Sequence, residues 1–383
     1  MRVLFLSNEH GLERSGSAYA YRLEKLRRAI EEHGIETEFL SLREQPVGRP
    51  ILAQPLNVPI IRYRGTVKRA PAGYDFIHAG GNAAYTAVFL KRHTGARIIH
   101  DVHGDTVSEA QLERQSNRDL PHSKKNKSPA YRLLQAVVAD TVAYRNSDYF
   151  LAVSRPLEER LICEQHIPQH RIGLVRNGVD LELFDRALGA EEAPSSSFMI
   201  GYAGGFQRWQ GLDNLIAAFE LLAADSVRLK IIGFTGQEAG LKADIARRLG
   251  DKVDLVDRVT QSELVSQLAT VQVLIIPRPS HRAVEVAFPT KFGEYIALGK
   301  PIIVCDVDET ARLVQQHSCG LVSQPNPEAL AESIRAASRL SHIELRRLGL
   351  NARALAEREF SWEHIGRRYA ELLTTWSSKP GDR

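Results

Sequence analysis

The feature that most constrains this chain is an alternation of short apolar runs and amphipathic stretches that breaks once and then starts again. VLFLS (3–7), TEFLSL (37–42), FIHA (76–79), RIIHDV (97–102) and YFLAV (149–153) form the first set. Helical patterns lie between them, at 17–33, 82–93, 129–145 and 155–165. Runs that are apolar at every position suit strands covered on both faces, which is the environment of a parallel sheet flanked by helices. The stretch GAEEAPSSS (189–197) is small, polar and contains Pro, so it reads as a linker. FMIGYA (198–203), RLKIIGF (228–234), VDLV (253–256), VQVLIIP (271–277), PIIVCD (301–306) and GLVS (320–323) then form a second set. Helical segments are predicted near 211–224, 237–249, 261–269, 289–298, 308–316 and 326–339. FSWEHIGRRYAELLTTW (360–376) is a closing amphipathic helix. A length of 383 residues accommodates two such domains. The expected fold is α/β, with two doubly wound, Rossmann-like domains joined near residue 190.

Composition narrows the function classes. Charged residues make up 25% of the chain and the formal net charge is +4, without the strong basic bias of a nucleic-acid binder. The three cysteines have no C-x-x-C spacing, so neither a zinc site nor a redox pair is indicated, and scattered thiols suit a reducing compartment. The apolar run at the N-terminus, Val3 to Leu6, is too short for a secretory segment, and no stretch is long enough to span a bilayer. These features predict a cytoplasmic protein, with peripheral membrane contact left open. The segment Gln111 to Pro129 reads as a solvated basic loop, or more sharply as a loop facing an acidic acceptor or membrane surface. Arg22, Lys25, Arg27 and Arg28, mixed with Glu24, Glu31 and Glu32, read as the solvated face of the first helix.

The most informative segment is AFPTKFGEYIALGKPIIV (287–304). Pro289 stands where a helix would begin and Gly299 where it would end. Thr290 and Lys291 fall in the first turn, and Glu294 lies one turn deeper on the face of Lys291. Free amides at a helix start bind phosphate, and a lysine beside them adds a point charge. A carboxylate one turn on can accept hydrogen bonds from two neighbouring hydroxyls, as on a ribose. The bland alternative is an exposed Lys–Glu pair worth little. Gly204 and Gly205, after the first strand of the second domain, would let phosphates approach main chain. Gly16, in Ser15-Gly16-Ser17, is a comparable but weaker candidate beside an ordinary helix cap. In HDVHGD (100–105), His103 falls just beyond a strand end, where open α/β sheets place ligands. His100 and Asp101 read as structural.

The run P-T-K-F-G-E-Y-x-A-x-G-K-P resembles the donor-site signature of family-4 glycosyltransferases, which have the GT-B fold. SDYFLAVS (147–154), NGVDLELF (177–184), IGYAGGFQRWQGLDNLIAAF (200–219), HSCGLVSQPNPEALAESI (317–334) and FSWEHIGRRYAELL (360–373) resemble further family segments in the same order. The resemblance implies two domains facing across a cleft. Residues 1–190 would bind the acceptor and 191–359 the nucleotide-sugar, and 360–383 would be a helix crossing back to the first domain. It implies transfer of a sugar, with retention, from a nucleotide-diphosphate sugar to a hydroxyl on a glycan, lipid-linked or small-molecule acceptor, as in polysaccharide biosynthesis. No metal or other cofactor and no nucleic acid would take part. Glu294 would hold the ribose. Lys291 and the amides of Thr290, Lys291 and Phe292 would hold the diphosphate, and His103 would orient the donor sugar. His281, Arg282 and Glu285 are further candidates near that sugar.

The chain departs from the family pattern at three positions. Gly205 stands where members often carry Arg, Gln210 stands where they carry Lys, and Val286 takes the place of an acidic residue with Glu285 beside it. Arg208 and Lys291 are the candidate replacement cations. The same departures keep two alternatives open: a catalytically silent GT-B protein that binds an active transferase, and a sugar-nucleotide epimerase.

Overall fold

The structure, a computed structural model, describes residues 1–8, 18–42, 73–109, 111, 129–185 and 197–378. The loop carrying Gly16, the expected linker around 190 and the basic segment 112–128 lie outside these residues. The chain divides into two compact units: Met1–Asn177 together with Trp362–Arg383, and Gly178–Ser361.

The first unit holds a six-stranded parallel sheet of β1 (Arg2–Ser7), β2 (Glu36–Ser41), β3 (Phe76–Gly80), β4 (Arg97–Val102), β5 (Tyr149–Ala152) and β6 (Ile172–Leu174). The strand order is β2-β1-β3-β4-β5-β6. Period-two alternation explains why Val3 to Leu6 of β1 are all apolar. Val3 and Phe5 pack with Leu23, Leu26 and Ile30 of the helix Ala18–Glu31, while Leu4 and Leu6 pack on the opposite face with Ala83, Ala87 and Leu90 of the helix Asn82–Thr94. The closing helix Trp362–Ser378 completes the first of these layers with Ile365, Tyr369, Leu373 and Trp376. Trp376 stacks on Tyr149 with ring centroids 4.5 Å apart. Gly366 passes so close to the helix Ala18–Glu31 that a Cβ there would lie 2.3 Å from the Cβ of Ala29.

The second unit holds β7 (Phe198–Ala203), β8 (Val227–Phe234), β9 (Val253–Asp257), β10 (Val273–Ile276), β11 (Ile302–Cys305) and β12 (Gly320–Ser323). The parallel order is β12-β11-β10-β7-β8-β9. The chain builds outward from β7 to β9, then returns to add β10 on the other side of β7. That reversal opens a crevice at the carboxyl ends of β7 and β10, where such sheets bind ligands.

Several elements were not anticipated, among them the short helices Leu181–Asp185 and Arg282–Val286. β6 is a three-residue edge strand, too short to show a pattern. The helix His342–Leu355 buries only Gly349, Ala352 and Leu355 and leaves Ile343 and Leu350 exposed, so it lacks an apolar stripe. Its local signal was the reciprocal cap between Ser341 and Glu344. Among the described residues no helix is long and apolar enough to cross a membrane.

Candidate functional site

The crevice of the second unit is built where β7 and β10 diverge. β7 ends at Ala203, and Gly204 follows with φ +134°, a backbone conformation that favours glycine. Gly211, at φ +76°, starts the next helix, Leu212–Leu221. A Cβ on it would meet the Pro277 carbonyl oxygen at 1.7 Å, so the glycine lets this turn lie directly against the end of β10. Between them, Gly205 accepts a 2.6 Å hydrogen bond from the Tyr202 hydroxyl. Arg208 sits exposed in the turn Arg208–Gln210.

The helix Thr290–Ala297 closes one side of the crevice. Gly299, at φ +64°, terminates it. Pro289 is its N-cap rather than its first residue, and no side chain among the described residues caps it. The Phe292 amide donates to the Pro289 carbonyl at 3.1 Å. That leaves the amides of Thr290 and Lys291 as the donors of the first turn. The Phe292 side chain belongs to the core, against Phe288 and Phe360. Tyr295 anchors the helix, its hydroxyl accepting from the Ala203 amide at 2.8 Å.

This anchoring swings Lys291 over the glycine turn. Lys291 is only 8% exposed, and its Nζ lies 4.3 Å from the centre of the Tyr202 ring. A Cβ on Gly204 would be 2.9 Å from that nitrogen. Among the described residues Lys291 Nζ has no hydrogen-bond partner. Burial, with the nearby Arg278 charge, brings the Lys291 amine down to about 7, and Glu294 opposes the shift. Glu294 is half-buried on the same face, and burial raises its carboxyl above the ordinary range. Gly204, Lys291, Glu294 and the first-turn amides therefore converge at the strand crossover.

Arg278 was not anticipated as part of this region. It is buried just after β10, donates to the Ala287 carbonyl at 3.0 Å and pairs with Asp308 at 2.6 Å. Asp308 in turn caps the helix Glu309–His317. The signal was a lone arginine immediately after the strand, in IIPRP. His281, Arg282 and Glu285 lie on the short helix that follows. His281 Nδ1 accepts the Ala283 amide at 3.1 Å, so that nitrogen is occupied by capping. Arg282 and Glu285 are exposed, the latter with Oε1 3.4 Å from Ser280 Oγ.

In the first unit, His103 lies beyond the end of β4, half-buried, with its ring edge-on to Tyr19 at 4.6 Å. Its Nε2 is 3.1 Å from Asp101 Oδ2, close in distance but not aligned for a hydrogen bond. Asp101 is fully buried and gripped by Arg22, whose Nε and Nη2 reach its two oxygens at 3.1 and 3.0 Å. The reading of Arg22 as part of a solvated face is corrected here. It is 2% exposed and also donates to the carbonyls of Val175 and Arg176. The helical position alone placed it beside Lys25 and Arg28, but the turn of the helix points it inward under the sheet's carboxyl edge. His78 joins the cluster, with Nε2 3.2 Å from Asp101 and Nδ1 2.7 Å from the Tyr369 hydroxyl. Burial alone would raise the Asp101 carboxyl; the Arg22 charge and the neighbouring imidazoles hold it well below the usual range.

Known proteins resemble both units. Residues 15–183 match the family model described as Glycosyltransferase Family 4, and residues 197–339 match the one described as Glycosyl transferases group 1. A D-inositol 3-phosphate glycosyltransferase of Catenulispora acidiphila is 26% identical over 317 residues, covering 77% of this chain and 72% of that protein. Sucrose-phosphate synthase from Thermosynechococcus elongatus superposes with a TM-score of 0.75 at 20% identity, covering 98% of both chains. Anabaena HepE, solved in complex with UDP and glucose, superposes with a TM-score of 0.69 at 18% identity, covering 99% of this chain and 100% of that one. The structural likenesses show the GT-B fold. Each unit in turn matches a glycosyltransferase family model, and the curated relative is a glycosyltransferase.

Proposed function

We propose, taking a glycosyltransferase of family 4 as the premise, that this chain transfers a sugar from a nucleotide-diphosphate donor to an acceptor hydroxyl with retention of configuration. The observation that carries the reading is the convergence of Gly204, Lys291, Glu294 and the first-turn amides in the crevice of the second unit. Glu294 accepts hydrogen bonds from the two ribose hydroxyls. Lys291 and the amides of Thr290 and Lys291 meet the charge that develops on the diphosphate as it leaves, in a place already withdrawn from water. The bond from the sugar's anomeric carbon to the diphosphate breaks. The acceptor oxygen bonds to that carbon on the face the diphosphate vacates, and its proton passes to a diphosphate oxygen. No side chain is required as a nucleophile, and no metal is invoked. His103 serves the transfer step, an assignment that rests on the family resemblance.

Because HepE was solved with UDP, a uridine diphosphate sugar is the first donor to try. Calorimetry with UDP, GDP, TDP and ADP, using Glu294→Ala as the control, tests the reading. One nucleotide should bind, and the variant should lose at least about tenfold in affinity, the loss expected when a charge-assisted hydrogen bond is removed. Unchanged affinity in Glu294→Ala would remove the ribose assignment. Absence of binding by every nucleotide would favour the silent-partner alternative raised by Gly205 and Gln210. His103→Ala should lower turnover far more than nucleotide affinity.

A further inference from the structure

Among the described residues the other buried charges have partners: Asp101 has Arg22, Arg278 has Asp308, Glu309 has Arg312, and Lys230 donates to Gln267 and Thr270. Lys291 differs, because its Nζ is withdrawn from water and has no hydrogen-bond partner among the described residues. The groups facing it come from three elements. Tyr202, on β7, presents a ring face, and its hydroxyl is committed to the Gly205 carbonyl. Arg278, after β10, adds like charge. On its own helix, Glu294 offers a half-buried carboxylate that attracts the ammonium without hydrogen-bonding it, and the Tyr295 hydroxyl is committed to Ala203. An ammonium so placed loses its hydration and gains little in exchange, which favours the neutral amine.

We propose that Lys291 takes up a proton when the donor's diphosphate docks over Gly204, so that this side chain makes donor affinity depend on pH. The inference rests on the donor-site reading above. A docked diphosphate supplies the missing acceptors and the missing negative charge, and a proton from solvent adds to the Nζ lone pair. In the unliganded chain the amine already lies at about 7, and the diphosphate raises it. Affinity is therefore complete below that value. It falls by about tenfold for each pH unit above it, until the pH reaches the amine's value in the complex. Glu294, its carboxyl raised by burial, is the remaining titratable carboxyl facing Lys291, and Lys291→Arg keeps it in place as the control. Burial raises the Tyr202 and Tyr295 hydroxyls, so they stay protonated, and a guanidinium does not titrate.

The test is calorimetry of UDP binding to the whole protein at about pH 8, in buffers of different ionisation heat such as Hepes and Tris. At that pH the nucleotide's phosphates, with a second pKa of about 6, are already ionised and contribute no proton. The observed heat plotted against buffer ionisation heat should give an uptake of about nine-tenths of a proton per UDP bound. Lys291→Arg, whose cation is permanently charged, should bind UDP with no uptake and a flat pH dependence. Carbon-13 NMR of labelled lysine side chains in the unliganded protein should show one residue, lost in Lys291→Arg, with a midpoint near neutrality. UDP binding with uptake below about two-tenths of a proton, or a Lys291 midpoint in the ordinary range near about 10, would overturn the inference and leave the donor reading standing. Failure of every nucleotide to bind would instead remove the donor reading, and the linkage with it.

Discussion

Asp101 keeps its charge where there is no water because Arg22 closes on both of its oxygens. Buried pairs of this kind are costly to break from one side, since the remaining charge is left uncompensated. Arg22→Met should therefore lower the stability of the first unit by about 3–5 kcal/mol, read from urea unfolding of the first unit. A loss below about 1 kcal/mol would mean that water reaches Asp101. His100 presents the opposite case. It is buried between Tyr144 and Phe150, its Nδ1 has no hydrogen-bond partner among the described residues, and burial pushes its imidazole down to about 4. The folded chain holds this histidine neutral, while the unfolded chain protonates it from pH 6.5 or so downward. Its contribution is thus complete above that pH and is lost as the pH falls towards 4, by on the order of 3 kcal/mol. His100→Phe should flatten that part of the stability profile, and an unchanged acid limb would refute the assignment.

At the scale of elements, the crevice depends on backbone approaches that only glycine permits. Gly211 combines a positive φ with a carbonyl where its Cβ would be. Gly211→Ala should cost more than about 2 kcal/mol, because strain and clash add. Gly240, with φ in the ordinary range and open space around it near the start of the helix Ala239–Leu249, is the matched control. Gly240→Ala should stabilise by about 0.5–1 kcal/mol. Denaturant midpoints for the pair check both signs. The helix Thr290–Ala297 is held from the other direction by the Tyr295 hydroxyl on the Ala203 amide. Tyr295→Phe leaves that buried amide unpaired, so it should cost about 1–3 kcal/mol and also weaken nucleotide binding by loosening Lys291 over Gly204. Loss of stability with full affinity would show that the helix position does not matter for the ligand.

At the scale of the whole molecule, the last helix belongs to the unit that begins the chain. Trp362, Ile365, Tyr369, Leu373 and Trp376 are part of the core that Val3 and Phe5 begin. Ending the chain at Ser361 should therefore open the first unit to proteolysis while Gly178–Ser361 survives as a resistant fragment. Equal resistance of both units would contradict this division. The alternation of runs and helices was enough to read two parallel-sheet domains, because both periodicities are local and the strands are covered on both faces. Pro289, Gly299 and the Lys291–Glu294 spacing were readable for the same reason, since caps and helical faces are decided within a few residues. The fate of the charges was not readable. Arg22 looked like its neighbours on an exposed face until the fold brought Asp101, 79 residues away, against it. The order of β10 beside β7 decided that Arg278 adds like charge near Lys291 and that the Lys291 ammonium lacks a hydrogen-bond partner among the described residues. The sequence by itself determined most of the segments that become strands and helices and where those stop. The tertiary structure alone decided which charges lose water and whether a countercharge meets them, because desolvation depends on everything packed around a group.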